Sequence, residues 1–256
     1  MSKDEDNHVL DNPHVFLDEI MRQAQESEII RFSMFLREGK RISQYPAENK
    51  EVMVVSQRDV NSGMYLWADQ ILCATNNKRN EINKDFRILK GFNEEPEIGD
   101  KIIGLHNQWD FLSDDFDMLP LTNGTIGTIT FWDKIPIKLP KYICSEKVDY
   151  LFTTMSTEDG HIFNNIPIDY KCLKTGEKTL TIKQEGQLKN YKGTDFAEKP
   201  YEFAYAYAIT THKSQGSQWD KVLVFEENFP FEANEHARWV YTAATRAAQK
   251  LVIVKK

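Results

Sequence analysis

The stretch Ala208-Ile209-Thr210-Thr211-His212-Lys213-Ser214-Gln215-Gly216-Ser217-Gln218-Trp219-Asp220, followed by the apolar run Val222-Leu223-Val224-Phe225, constrains this chain more than any other. Apolar runs flank a polar segment with one glycine, which reads as a buried strand, a polar turn, a short helical turn and a second buried strand. A turn at the carboxyl end of a strand is where α/β sheets bind ligands, and a glycine there lets a bound group approach the backbone. Few structural loops need that mixture of Thr, His, Lys, Ser and Gln.

A second informative segment lies near the carboxyl terminus. Asn234 is placed to cap a helix through Glu235-His236-Ala237-Arg238-Trp239-Val240-Tyr241-Thr242-Ala243-Ala244-Thr245-Arg246, and Leu251-Val252-Ile253-Val254 then closes as a strand. Arg246 falls at the helix end, just before the turn. Toward the amino terminus, Asn12 caps and Pro13 opens a helix carrying Phe16, Leu17, Ile20, Met21 and Ala24 on one face. Ser27 caps a second helix with Ile29, Ile30, Phe32, Phe35 and Leu36, stopped by Gly39, so a helical hairpin is predicted. Val52-Met53-Val54-Val55 and Gln70-Ile71-Leu72-Cys73-Ala74 are short strands, the second leading through Thr75-Asn76-Asn77 into a helix that ends near Lys90-Gly91. Strand, polar turn and helix repeat as in a parallel sheet.

The pattern changes at Pro96-Glu97-Ile98-Gly99-Asp100. From there to about Pro200 only short alternating runs are visible, at Lys101 to Leu105, Gly124 to Trp132, Val148 to Thr153 and Thr179 to Lys183, and no helix is expected. The stretch reads as a small β-barrel or β-rich insertion, with the α/β pattern resuming at Tyr201. The predicted organisation is therefore α/β in residues 1–98, a β-rich insertion in 99–200 and a second α/β segment in 201–256.

Thr-x-His-Lys-Ser-Gln-Gly and Tyr-Thr-Ala-x-Thr-Arg-Ala, in this order and spacing from the carboxyl terminus, resemble motifs V and VI of superfamily 1 helicases, most closely the RecD/Dda-like branch that moves 5′ to 3′ on DNA. Gly99-Asp100-Lys101-Ile102-Ile103 and Asn123-Gly124-Thr125-Ile126-Gly127 resemble the opening strands of that family's SH3-like subdomain. The resemblance implies a RecA-like parallel sheet domain with an inserted SH3-like small β-barrel. It implies that Arg246 acts on the γ-phosphate as an arginine finger does, by placing a permanent planar cation where charge develops. Arg22, in Leu17-Asp18-Glu19-Ile20-Met21-Arg22-Gln23, resembles the motif IV arginine that supplies a second cation, and Gln23 beside it joins the nucleotide contacts. Gly216, Gln215 and Gln218 are the further nucleotide-binding candidates. The family commonly has glutamate where this chain has Gln218, so an acceptor is kept and a charge lost. By the same resemblance Thr210, His212, Lys213 and Ser214 line the track of single-stranded DNA. Thr75 and Asn76, with Lys78 and Arg79 just inside the next helix, add backbone amides and a helix N-terminus for another phosphate.

Each of these residues has a plainer reading when the resemblance is set aside. Arg246 at a helix end can face its own terminal carbonyls. Arg22 fits a solvated helix face, Gly216 a tight turn, and Thr75-Asn76 ordinary capping. Trp109 and Trp132 suit either base stacking or packing at a barrel lip.

No Gly-x-x-x-x-Gly-Lys-Ser/Thr loop occurs in the sequence, so it supplies no lysine cradle for β and γ phosphates and no hydroxyl for Mg2+. Alone, the chain is not expected to hydrolyse ATP. The resemblance covers the latter half of a helicase, which implies ATP with Mg2+ whose ligands lie on an N-terminal P-loop RecA-like domain in cis or in trans. A net charge of −7 makes any DNA contact a matter of a local groove rather than of the whole field. Cys73, Cys144 and Cys172 show no CxxC pairing, which suits reduced thiols and a cytoplasmic setting and offers no zinc site. Carboxylates show no metal-ligand spacing, and no apolar run is long enough for a bilayer. The competing reading is an ATP-independent module that binds nucleic acid or protein. An α/β enzyme of another class has no nucleophile or cofactor fingerprint to support it.

Overall fold

In the computed structural model, residues 27–48, 50–191, 199–228 and 232–255 are described. The helix expected from Asn12 to Ala24, and with it Arg22 and Gln23, lies outside them. Near the carboxyl end, Leu251 and Ile253 point to one side of their strand and Val252 and Val254 to the other, and all four are buried. A strand apolar on both sides needs helices on both faces. It is one of five parallel strands: β1 (Val52–Ser56), β2 (Gln70–Cys73), β10 (Ala208–Thr210), β11 (Trp219–Phe225) and β12 (Ala247–Lys255), hydrogen-bonded in the order β1-β12-β11-β2-β10. One face is covered by α1 (Glu28–Arg37), through Ile29, Phe32 and Leu36, and by α6 (Ala233–Ala244), through Trp239, Val240 and Ala243. The other is covered by α2 (Ser62–Trp67) and α3 (Asn76–Leu89), whose Ile82 and Phe86 meet Ile71, Leu223 and Val252. The chain is thus a mixed α/β protein with a parallel sheet, as the sequence predicts.

Two boundaries differ from expectation. Helix α6 begins at Ala233 after Glu232, so Asn234 lies inside the helix and not at its cap. Helix α1 does start after Ser27, but the Ser27 hydroxyl donates to Glu51 at 2.9 Å and does not cap its own helix. A reciprocal clamp replaces the local cap. Glu51 accepts the Glu28 N–H at 2.7 Å, while Glu28, 2% exposed, accepts the backbone N–H groups of Glu48, Lys50, Glu51 and Val52 at 2.7–3.2 Å. Burial by itself raises the Glu28 pKa, but the four amides outweigh it and leave the group below its ordinary 4.5. The native carboxyl therefore binds protons more weakly than the unfolded one, and its stabilisation is full above that ordinary value and is lost as pH falls through the depressed one. Glu28→Gln is expected to cost about 2 kcal/mol at neutral pH. Urea midpoints of the two proteins, measured on descending pH, should converge below the ordinary carboxyl range; a constant difference would remove the carboxylate from this role.

Residues after Pro96 build a second sheet of opposite character. Strands β3 (Lys101–Gly104), β6 (Ile126–Lys138), β7 (Lys147–Thr157), β8 (Ile162–Asp169) and β9 (Phe203–Tyr205) pair antiparallel in the order β8-β7-β6-β3-β9. A short ribbon of β4 (Gln108–Leu112) and β5 (Pro120–Leu121) stands beside it. Ile102, Ile129, Leu151, Met155, Phe163 and Ile166 form a core of its own. The expected β character is present, but the expectation of no helix is corrected. Helices α4 (Tyr170–Thr175) and α5 (Ile182–Lys189) follow β8. Thr179 to Lys183, read as a strand, is a helix start: the Thr181 hydroxyl accepts the Gln184 N–H and the Gln184 side chain accepts the Thr181 N–H at 2.9 Å. A Thr-x-x-Gln capping box outcompetes a run of only five alternating residues.

The two sheets meet between Tyr205 and Ala208. β9 closes the antiparallel sheet on β3, and two residues later β10 enters the parallel sheet beside β2. Asp100 locks this junction. Its carboxylate, fully buried, accepts Arg87 Nε at 3.0 Å, the Tyr207 hydroxyl at 2.9 Å and the Glu97 N–H at 2.8 Å. Arg87 also stacks over the Tyr205 ring, 4.4 Å from its centroid. Among the described residues, no helix is long and apolar enough to cross a membrane.

Candidate functional site

The polar loop leaves β10 at the carboxyl end of the parallel sheet. Thr211 to Ser214 form a single 3₁₀ turn, held by the Thr211 hydroxyl donating to Cys73 O at 3.3 Å and the Ser214 hydroxyl donating to Thr211 O at 2.7 Å. Thr210, Thr211 and Ser214 are buried, whereas His212 and Gln215 to Gln218 are exposed. Gly216 has φ +89°, and nothing lies within 4 Å of the place a Cβ would take. The torsion is what calls for glycine there; any other residue would cost about 1–2 kcal/mol. The result is a bare backbone facing open space.

Arg246 comes to this same loop. Its main-chain oxygen accepts the Trp219 N–H at 2.9 Å, and its Nη1 donates to Ser217 O at 3.2 Å. Nε donates to Thr242 O at 3.2 Å and Nη2 to the Thr245 hydroxyl at 3.1 Å. The half-buried guanidinium thus does what a helix-end arginine does by itself, and it also bridges to the residue after Gly216. Among the described residues one N–H on each of its three nitrogens is engaged, which leaves two of the five donors of a guanidinium without a partner there.

Between the loop and α6 lies a cleft of 340 Å³ lined by His212 and Gln215 on one side and Glu235, Arg238 and Trp239 on the other. Gln218 faces elsewhere: with Ser217 and Trp219 it lines a 410 Å³ cavity against Thr122, Gly124 and His161 of the antiparallel unit. The two glutamines therefore serve different walls. Arg238 and Glu235 were not singled out from sequence. The available signal was the i, i+4 spacing of Arg238 and Thr242 on one helix face, both toward the loop.

Lys213 turns away from His212. Its ammonium donates to Leu105 O at 3.0 Å and to the Asn123 side chain, tying the loop to the β3–β4 connection and to the turn before β6. Burial, and then the charge of Arg79, lower its pKa. Arg79 is itself buried, with its guanidinium on the Asn80 side-chain oxygen at 2.9 Å.

Strand β2 ends beside β10, with Cys73 opposite Thr210, so Thr75 and Asn76 leave the sheet next to Thr211 and His212. Thr75 caps α3 by accepting the Lys78 N–H at 3.2 Å. The Thr75 hydroxyl and N–H, together with the Ala74 N–H, converge on the carboxylate of Glu227. Three donors gathered on one anion mark an anion-binding corner, here satisfied from within the chain. Glu227 follows β11 in an ordinary Glu-Glu-Asn run, which is why its role was not legible. Of the two tryptophans, Trp132 packs against the antiparallel core and Trp109 is 63% exposed.

Residues 205–254, which span the loop and Arg246, match the family model of the UvrD-like helicase C-terminal domain. None of the curated proteins matches the chain in sequence. Among solved structures, the chain is similar to the Pif1 helicase from Bacteroides in complex with ADP-AlF3 and ssDNA (15% identity, TM-score 0.47, 93% of this chain and 51% of that one). It is also similar to the Pif1 helicase from Candida albicans (15%, 0.45, 93% and 55%) and to unliganded Pif1 from Bacteroides sp (16%, 0.43, 93% and 51%). The chain spans about half the length of these structures.

Proposed function

We propose that this chain is the second motor domain of an ATP-dependent DNA helicase of the RecD/Dda-like branch, moving 5′ to 3′ and carrying an SH3-like insertion. The observation that carries the reading is the meeting of Arg246 with the loop at Gly216 and Ser217, which joins the two motif-bearing segments at one sheet end. Among the described residues, the open torsion and space at Gly216 and the two unengaged N–H groups of Arg246 fit a terminal phosphate approaching from outside the domain. Bound ATP supplies the free energy of its terminal phosphoanhydride, and the Mg2+ ligands belong to an N-terminal P-loop domain. Arg246, with Arg22, presents cationic charge to the γ-phosphate, while Gln23, Gln215 and Gly216 contact the nucleotide and Gln218, turned toward the antiparallel unit, does not. His212 and Asn76, exposed at the neighbouring strand ends, contact single-stranded DNA, while Thr210, Lys213, Ser214 and Thr75, buried or bonded within the chain, shape the track that presents them. Closing and opening of the two motor domains is then a shift between two populations, biased by contact with one phosphate.

The test is a 1:1 assembly of this chain with a P-loop RecA-like domain, verified by sedimentation, in which ATP turnover is followed with and without an oligo-dT strand. Turnover stimulated by the oligonucleotide is expected. Tight oligonucleotide binding with no turnover in the verified assembly would instead favour the ATP-independent binding module.

A further inference from the structure

The loop between β4 and β5 carries a surface that neither nucleotide nor DNA binding accounts for. Phe116 is fully exposed at 107% of its reference area, and Met118 is 62% exposed in a left-handed conformation, φ +43°, that non-glycine residues rarely adopt. Leu112, Leu119 and Ile162 are exposed beside them, and backbone hydrogen bonds from Ser113 N–H to Leu119 O and from Asp114 N–H to Ile162 O, each 2.8 Å, hold these residues together. Contiguous apolar exposure of this kind marks a surface kept for a partner.

The loop is rigid where it could have been slack. Asp115 accepts the Ser113 hydroxyl at 2.9 Å, the Asp117 N–H at 3.1 Å and His161 Nδ1 at 3.0 Å, and the Ser113 hydroxyl in turn accepts the Leu119 N–H at 2.9 Å. These bonds account for the close approach of Asp115, Asp117 and His161, whose ligand atoms lie within 4.8 Å of one another. Phe116 is thereby displayed at the crown of a pinned turn, so little ordering entropy remains to be lost on binding.

Charge selects the partner. Between Lys101 and Lys134 the sequence has neither Lys nor Arg but has Asp110, Asp114, Asp115, Asp117 and Asp133. The adjoining β7–β8 turn adds Asp159, while Glu158 there is paired with Lys101 at 3.4 Å, and residues 148–170 likewise contain no Lys or Arg. An apolar crown in an acidic field repels phosphodiester backbones and anionic lipid headgroups alike. We infer that the β4–β5 loop is a docking surface for a protein partner that presents a basic, apolar segment, with Phe116 and Met118 as anchors and the surrounding aspartates setting selectivity.

The probe is a synthetic amphipathic Leu/Lys peptide bearing a fluorophore, titrated against the full chain by anisotropy, with a Leu/Glu peptide and an oligo-dT strand as comparators. The Leu/Lys peptide is expected to bind and the Leu/Glu peptide not. Phe116→Ser combined with Met118→Ser should weaken binding roughly tenfold or more, as loss of hot-spot anchors does. Asp114→Lys with Asp117→Lys should weaken it comparably, whereas the control Glu38→Lys, far along the chain on the turn after α1, should not. These positions are exposed, and unchanged thermal melts show that the variants fold. Equal binding of both peptides, indifference to the paired substitutions, displacement by oligo-dT, or concentration-dependent dimerisation abolished by Phe116→Ser would each overturn the assignment.

Discussion

Arg246→Ala, in the assembly with a P-loop domain, is expected to lower DNA-stimulated ATP turnover by roughly 10³-fold while leaving oligonucleotide affinity nearly unchanged. The size follows from what a guanidinium does near a transferring phosphoryl group: it is a fixed cation already oriented in a site from which water is excluded. Arg246→Lys should recover little, because an ammonium keeps the charge but cannot hold the fork that reaches Ser217 O and Thr242 O together. A purely structural Arg246 gives the opposite pattern. Loss of its helix-end and loop bonds would then lower the melting temperature and leave turnover intact below it. Measuring both quantities on the same preparation separates the two roles.

Asp100→Ala should be the most destabilising single substitution at the junction of the two sheets, by about 3–5 kcal/mol, because it leaves the Arg87 guanidinium buried without its carboxylate. Three further donors converge on or beside that carboxylate: the Glu97 N–H, the Tyr207 hydroxyl and the second arm of the Arg87 fork, which reaches Glu95 O. The check is a urea titration followed at two wavelengths, and a loss below about 1 kcal/mol would mean that water reaches the pair and screens it. Replacing both partners, Arg87→Met with Asp100→Leu, is expected to recover only the part of the loss due to the unpaired charge, since the Glu97 N–H and the Tyr207 hydroxyl still lose their acceptor.

The parallel sheet was legible because its strands are apolar on both faces, and a run such as Leu223-Val224-Phe225 has few other ways to be buried. Helix α3 was legible from Thr75, whose capping chemistry acts over three residues. Helices α4 and α5 were not, since each is short and defined by its caps, Asp169 and Thr181, while the flanking residues alternate like strand. At the site, the motifs pointed to Arg246 and Gly216, and the fold brings the two segments together. It separates others that the motif had grouped: Lys213 reaches across to Leu105 and Asn123, and Gln218 faces the antiparallel unit. Glu227 and Arg238 enter the site only through the fold.

What the residues determined by themselves were local matters: the apolar strand runs, the cap at Thr75, a glycine torsion, and the side-chain types at a strand end. Those depend on interactions within a few residues, which any copy of the sequence carries with it. What only the tertiary structure decided is which distant groups share one space, as when Glu28 collects amides from Glu48 to Val52, Asp100 holds Arg87 and Tyr207, and Glu227 takes the donors at Thr75. A buried charge has to find its partners, and chain spacing does not say where the partners are.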